Sequence, residues 1–456
     1  MIRSAHSNRV TPRMPLLKKL FWLYFLLLVF EGALRKWVLP DYSAPLLLVR
    51  DPVALLIIWE AYRTRRWPKQ WSSVIGILTV GILVLCFIQL TAGGNHWFVA
   101  VYGLRSYLLP FPVAFIMGEN LDREDLRKFG LCTLWLLFPL TALEVAQYYA
   151  PANSILNKGA FLGAEQLGYS GAHVRASSTF SYVMGPMFYV PMSAAFIFYG
   201  IADGKFAKKW FLYAASGALL IAVPITGSRT LALLLVGVLA CVVMAAMFGV
   251  SQLASALKVG LALIAVAALV SQLPVVSEST RTFQERIYEA SGSEGNAGSS
   301  LELRLVFPIV RGIEESFSAE NWFGEGMGYG SNAASMLLTG KQQGLAGEEE
   351  SIRVLVEFGP FFGLAFMFFR LMIVVMVAAK ALARAREHEP LALFLVPTLM
   401  ASMVLSTLEQ PTVQGFAVVA LGFSLAALKR VNTIPAEALP IPLLRWEPRQ
   451  PGLRAH

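Results

Sequence analysis

The residues best suited to chemistry in this sequence are arginines and glutamates set beside apolar runs. Thr226-Gly227-Ser228-Arg229-Thr230 lies between two such runs. Ser228 is a good helix N-cap, which puts Arg229 in the first turn of a helix running on to Phe248. Free backbone N–H groups, the positive end of the helix dipole and a guanidinium then converge, and that combination suits a phosphate. The same arginine can instead snorkel to lipid heads from a helix end. Arg304 and Arg311 can point the same way from one amphipathic helix, where two guanidiniums can grip a pyrophosphate; the other reading has them solvated or paired with Glu302, Glu314 or Glu315. Glu348-Glu349-Glu350 directly precedes an apolar span beginning at Arg353. Three adjacent carboxylates repel, which raises the proton affinity of one, so Glu348 or Glu350 is a candidate to take a proton from a hydroxyl nucleophile. The alternative is an interfacial acidic cluster neutralised by Arg353. Arg105, Glu144 and Arg370 lie within apolar runs, where charges cost several kcal/mol and normally face a cavity or a partner. Arg105-Ser106-Tyr107 falls where an anionic lipid head can be held, whereas a helix-end ion pair explains Glu31 and Arg35. Gly324-Glu325-Gly326-Met327-Gly328 has no strand–helix setting, so it reads as a tight backbone turn and not a dinucleotide site.

The elements that must position these residues belong in a membrane. Of 456 residues, 56% are hydrophobic and only 15% charged, and mean hydropathy is +0.59. Soluble domains carry roughly 25% charged residues, so disorder, a fibrous chain and an ordinary soluble enzyme are excluded. Cys86, Cys132 and Cys241 all lie in apolar runs without paired spacing and indicate neither a disulfide framework nor a zinc site. The five histidines are scattered, so no metal centre and no cofactor is expected. Bilayer-length apolar runs fall near 16–34, 44–61, 73–91, 97–118, 129–150, 180–201, 210–227, 230–248, 257–273, 353–379, 391–408 and 411–428, about twelve in all. The first reads as a retained helix, not a removed signal peptide. The expected fold class is therefore an all-α polytopic integral membrane protein.

Lys and Arg gather in alternate loops, among them Arg63–Lys69, Arg123–Lys128, Lys205–Lys209, Lys380–Arg386 and the tail from Lys429. The bias is roughly two to one or better and places both termini in the cytoplasm. The net charge of +9 is then a topology signal and a contact with membrane lipids, and needs no nucleic acid. Four regions follow: an N-terminal bundle over 1–273, a large outward loop over 274–352, C-terminal spans over 353–428 and a cytoplasmic tail over 429–456. Within the loop, Ala290–Ser300 is Gly/Ser-rich, and Leu301–Glu315 has one apolar and one charged helical face, with Pro308 expected to kink it.

The order of these pieces resembles the O-antigen ligase and O-antigen polymerase (Wzy-like) superfamily of bacterial envelope enzymes. The matching features are Thr226–Thr230, the Arg-Ala-Ser-Ser-Thr-Phe stretch at 175–180 and a large outward loop containing Arg304. Trp322-Phe323-Gly324-Glu325-Gly326-Met327-Gly328 and the Glu357-Phe358-Gly359-Pro360-Phe361-Phe362-Gly363-Leu364 entry to the next span complete the match. The resemblance covers residues 170–375. It implies a GT-C-like glycosyltransferase of the bacterial inner membrane, with a periplasmic loop, taking glycan from undecaprenyl pyrophosphate. Partners implied are the undecaprenyl-pyrophosphate-linked glycan, an acceptor glycan and a chain-length regulator. Arg229 and Arg304 match the positions expected to hold the pyrophosphate; Ser228, Arg311, Arg105, Arg175 and Arg353 join them as candidate substrate-binding residues. Ligases of this family place a His-Asn ahead of the last motif, but Glu348 and Glu349 stand there, and the loop Pro274–Ile352 has no histidine. That favours a polymerase of surface polysaccharide (exopolysaccharide or O-antigen), or a relative in which a carboxylate deprotonates the acceptor. Glu348 or Glu350 would activate an acceptor sugar hydroxyl, which attacks the anomeric carbon in one inverting, metal-independent displacement while fixed guanidiniums stabilise the departing diphosphate. Two alternatives stay open: a ligase moving finished glycan to another lipid or protein, and a flippase for lipid-linked sugars.

Overall fold

The computed structural model describes residues 15–91, 95–160, 169–170, 173–248, 310, 313–314, 317, 322–331 and 350–430. Twelve principal α-helices cover most of them: α1 (Leu16–Ala33), α2 (Arg50–Arg63), α3 (Ser72–Thr91), α4 (Trp97–Leu108), α5 (Pro110–Asn120), α6 (Arg123–Tyr149), α7 (Met184–Asp203), α8 (Lys209–Thr226), α9 (Arg229–Met247), α10 (Glu350–Arg386), α11 (Leu391–Met400) and α12 (Pro411–Ala427). The only pairing of strands among the described residues is a two-residue hairpin, Tyr169–Ser170 against His173–Val174.

Local chemistry sets the helix ends. Asp122 caps α6 in a reciprocal capping box with Asp125, and Glu124 and Asp125 add negative charge to the first turn. Gly204 and Gly227 end α7 and α8 in the left-handed conformation that a residue without Cβ adopts freely. Pro110 and Pro411 sit at first helical positions, where the missing N–H costs nothing.

Seven helical segments among the described residues are long and apolar enough to cross a membrane: Lys69–Thr91, Trp97–Asn120, Arg123–Tyr149, Met184–Asp203, Lys209–Thr226, Arg229–Met247 and Glu350–Arg386. They coincide with seven of the expected spans, and the chain is an all-α, multi-pass membrane protein. The runs near 391–408 and 411–428 form shorter apolar helices. The run 16–34 forms α1, which carries Lys18, Lys19 and Glu31. The run 44–61 is not one helix: a single turn at Ser43–Leu46 precedes α2, which has only 14 residues and begins just before Pro52. The run 257–273 lies outside the described residues.

The core is the α12 helix and what surrounds it. Every residue from Thr412 to Ala427 is buried, as expected of an apolar helix enclosed on all sides. Gly118 of α5 lies under Leu425, and Gly422 lies under Met117, so these two helices approach closely. The loops then separate into two ends. At one, Lys18 pairs with Asp122 (2.8 Å), Arg123 with Glu389 (2.5 Å) and Arg430 with Glu387 (3.1 Å). At the other lie the C-terminal ends of α1, α3, α6 and α8, the N-terminal ends of α9, α10 and α12, and most of the sequence-selected arginines.

Candidate functional site

The Arg175–Phe180 stretch is fixed from three sides. Gln147 of α6 accepts from the Ser178 N–H (2.7 Å) and donates to the Ser178 carbonyl (3.3 Å). The buried Lys36 donates to Ser177 Oγ (2.6 Å) and to the Ser178 carbonyl (3.2 Å), and Thr179 Oγ1 donates to the Val29 carbonyl (2.6 Å). A Cβ at Gly32 would strike the backbone of Phe180 and Ser181, so α1 can come this close only at a glycine. Beside this stretch, Ala176, Tyr148 and Ile225 form one small buried cluster with Val145 and Ile221. Ile225 is at the end of α8, two residues before the left-handed Gly227. Ser228 then caps α9, its Oγ accepting from the Leu231 N–H (3.3 Å), and Arg229 occupies the first helical position. Arg175 and Arg229, separated by 54 positions in the sequence, are thus both mounted on the margins of a single cluster, at the same end of the bundle.

A second polar group lies where α4, α10 and α12 meet. Glu350 pairs with Arg353 (2.7 Å) and with Arg370 (2.5 Å), one guanidinium on each oxygen. Arg353 also binds Glu409, in the turn before α12, and approaches Glu357 (3.9 Å). Arg370 donates further to the carbonyls of Met403 and Ser406. The acidic run is therefore neutralised by arginine at its described member, and Arg353 stands as part of a buried ion network. Burial, together with Glu357 and Glu350, pushes the Glu409 carboxyl up to about 7 against the opposing pull of Arg353 and Arg105.

Glu357 is fully buried and accepts four approaches. Tyr107 donates its hydroxyl (2.6 Å), and the N–H groups of Gly328 and Gly330 each donate at 3.0 Å; the fourth is Arg353. The glycine turn that supplies those N–H groups has φ of 81° at Gly324, 120° at Gly326 and 82° at Gly328, left-handed values that exclude ordinary side chains. The turn is a carboxylate cradle, and its three glycines are required by its backbone.

Arg105 lies 3.1 Å from Asp51, with its guanidinium 4.6 Å from the centre of the Tyr102 ring. None of its nitrogens makes a hydrogen bond among the described residues, so the pair with Asp51 is close enough for charge but out of line for donation. Glu31 pairs with Arg35 (3.4 Å), as expected, and also with Arg50 (3.0 Å), which the sequence did not indicate. Glu144 is buried, and its Oε2 has no hydrogen-bond partner among the described residues.

Of the sequence-selected residues, Arg175 adjoins Ala176 and Ser228-Arg229 follow Ile225 of one buried cluster, Glu350 pairs with Arg353, and Arg105 lies beside Asp51. Arg304, Arg311 and Glu348 lie outside the described residues. Gln89, Tyr107 and Glu409 were not singled out as site residues; the partners of Gln89 and Tyr107 lie more than 200 positions away and Arg353 lies 56 from Glu409, so no local pattern marks them. No family model matches the chain, and no curated protein or solved structure matches it.

Proposed function

We propose that the chain is a GT-C-like glycosyltransferase of about twelve spans that polymerises bacterial surface polysaccharide, taking glycan from an undecaprenyl-pyrophosphate donor at the outer face of the inner membrane. The loop ends that gather Arg175, Arg229 and Arg105 are then periplasmic, and the basic end, with both termini, is cytoplasmic. The observation that best supports this reading is the mounting of Arg175 and Arg229 on one cluster, with Arg229 in the first turn of a Ser228-capped helix. A departing diphosphate gains negative charge as the glycosidic bond breaks. Guanidiniums fixed by a packed scaffold, with the N–H groups of a helix start beside them, stabilise that charge without reorganising. Arg304 and Arg311, which the sequence pattern puts on one face of the large loop, are assigned in this reading to the same pyrophosphate. Both oxygens of Glu350 face guanidiniums, so the proposal gives the proton-accepting role to Glu348.

The test supplies purified protein with lipid-linked repeat units and no other acceptor. Lengthening of the glycan is the expected result. Arg229→Ala and Arg304→Ala are each expected to lower its rate by about 10²–10³, the usual cost of one lost transition-state contact. Transfer that occurs only when a different lipid acceptor is added would identify a ligase. Movement of the intact lipid-linked sugar across a vesicle, with no new glycosidic bond, would identify a flippase and overturn the proposal.

A further inference from the structure

The basic end carries a preformed hollow that none of the preceding chemistry uses. It is lined by Arg127 of α6, by Lys205, Lys208 and Lys209 around the α7–α8 turn, and by Trp210, and its volume is about 620 Å³. Membrane topology asks only that this loop be positive, and a floppy basic loop would serve as well. This one is pinned. Phe206, only 2% exposed, is driven between α6 and α7, where it meets Phe196 and Tyr199. Gly130 makes room for it: a Cβ there would overlap Phe196 and Phe206. The Phe206 carbonyl accepts from Arg127 Nε (3.1 Å), which orients the rest of that guanidinium, and Gly204 turns the chain at φ 68°. Among the described residues, Glu124 lies 3.8 Å from Arg127 and 3.6 Å from Lys128, and Asp203 accepts from the Lys205 backbone N–H. Four cations therefore line the hollow against these two carboxylates, and it keeps a positive surplus.

What lies beside it is apolar and exposed. Trp210 is 62% exposed, and Tyr213, one helical turn further along α8, is 51% exposed. Trp135 of α6, 59% exposed, packs against Phe211 with ring centres 4.7 Å apart. Aromatic rings at this level belong to the boundary between lipid heads and tails. An anion bound in the hollow would thus have its attached chains laid against a row of aromatic rings, and a free phosphate would leave that row unused.

We infer that this hollow is a binding site for an anionic phospholipid, with the phosphodiester held by Arg127, Lys205, Lys208 and Lys209 and the acyl chains lying along Trp210, Tyr213 and Trp135. The site is independent of the proposed glycan chemistry. The experiment is lipid retention by the purified full chain, followed by native mass spectrometry during titration with phosphatidylglycerol, phosphatidylcholine or inorganic phosphate. Wild-type protein is expected to hold phosphatidylglycerol more firmly than phosphatidylcholine. A triple variant Lys205→Gln, Lys208→Gln, Lys209→Gln is expected to weaken that retention roughly a hundredfold at low salt, about fivefold for each lysine near an anionic head. The comparison triple Arg65→Gln, Arg66→Gln, Lys69→Gln removes the same charge from a different basic loop and is expected to leave retention unchanged. The three lysines are exposed, so unchanged thermal unfolding checks that the variant is folded. Equal retention of phosphatidylcholine, equal loss in both triples, or phosphate binding as tight as phosphatidylglycerol would each overturn the inference.

Discussion

Glu357 ties the glycine turn to α4 and α10 at the end of the bundle opposite the basic loops. Its carboxylate takes the hydroxyl of Tyr107 and two N–H groups of the glycine turn while Arg353 lies beside it. Glu357→Gln keeps the shape but removes the charge opposite Arg353 and turns an N–H₂ toward groups that themselves donate. Leaving buried donors without an acceptor, with one carboxylate fewer beside a buried guanidinium, costs about 3 kcal/mol or more. We expect a clear fall in the unfolding temperature of detergent-purified protein, and a fall no larger than that of an exposed Glu387→Gln would refute the role given to this carboxylate. The sequence showed Glu357 only as the first letter of a spaced pattern. It could not show the cradle, because Gly328 and Tyr107 are 29 and 250 positions away. The positive backbone angles, by contrast, were legible, since three alternating glycines have few other uses.

At the scale of elements, α10 shows how a helix break is sealed. Pro360 has no N–H, so the Val356 carbonyl loses its helical partner, and Gly359 turns to φ 75°. The lost bond is replaced from outside: the Glu325 N–H donates to the Val356 carbonyl at 2.8 Å. Gln89 of α3 donates to the Glu357 carbonyl (2.7 Å) and the Phe323 carbonyl (2.6 Å), and accepts from the Met327 N–H (2.9 Å). One amide side chain thus straps the break to the glycine turn. Gln89→Leu preserves bulk and leaves three buried backbone groups unpaired, for an expected cost of about 3 kcal/mol; a thermal unfolding curve superimposable on wild type would show the strap to be dispensable. Caps were more readable. Asp122 accepts from the Asp125 N–H (2.8 Å) and pairs with Lys18. Burial opposes its ionisation, but Lys18 and that N–H hold its carboxyl down at about 2. Its contribution is therefore complete above the ordinary carboxylate range and disappears only as pH falls toward 2. Asp122→Ala at neutral pH is expected to cost about 1 kcal/mol, measured in the same way, with no cost at all speaking against the cap. Helix starts of this kind depend on neighbours three or four residues away, which is why Ser228 was legible as a cap in the sequence and Gln89 was not.

For the whole molecule, the two ends use charge in opposite ways. The basic end exposes its lysines and arginines, while the other buries Arg35, Arg50, Arg105, Arg353 and Arg370 against Glu31, Asp51 and Glu350. Burial of that many charges makes the second end sensitive to any member that can change its ionisation. Glu409 is one such member. It faces Arg353, Glu357 and Glu350 from α10 and Arg105 and Tyr102 from α4, and its carboxyl sits at about 7 instead of the usual 4.5. Between those two values the folded chain binds a proton that the unfolded chain has released, so stability is greatest at the acid side of the window and declines as pH rises through about 7. The unfolding temperature of the purified protein should accordingly drop between about pH 5 and about pH 8, apart from any change in activity. Glu409→Gln is neutral throughout and should flatten that decline; it also loses the ion pair with Arg353, so its unfolding temperature at any one pH decides nothing and the slope decides the matter. A slope identical in both proteins would assign the pH response to another group and leave Glu409 as a plain partner of Arg353.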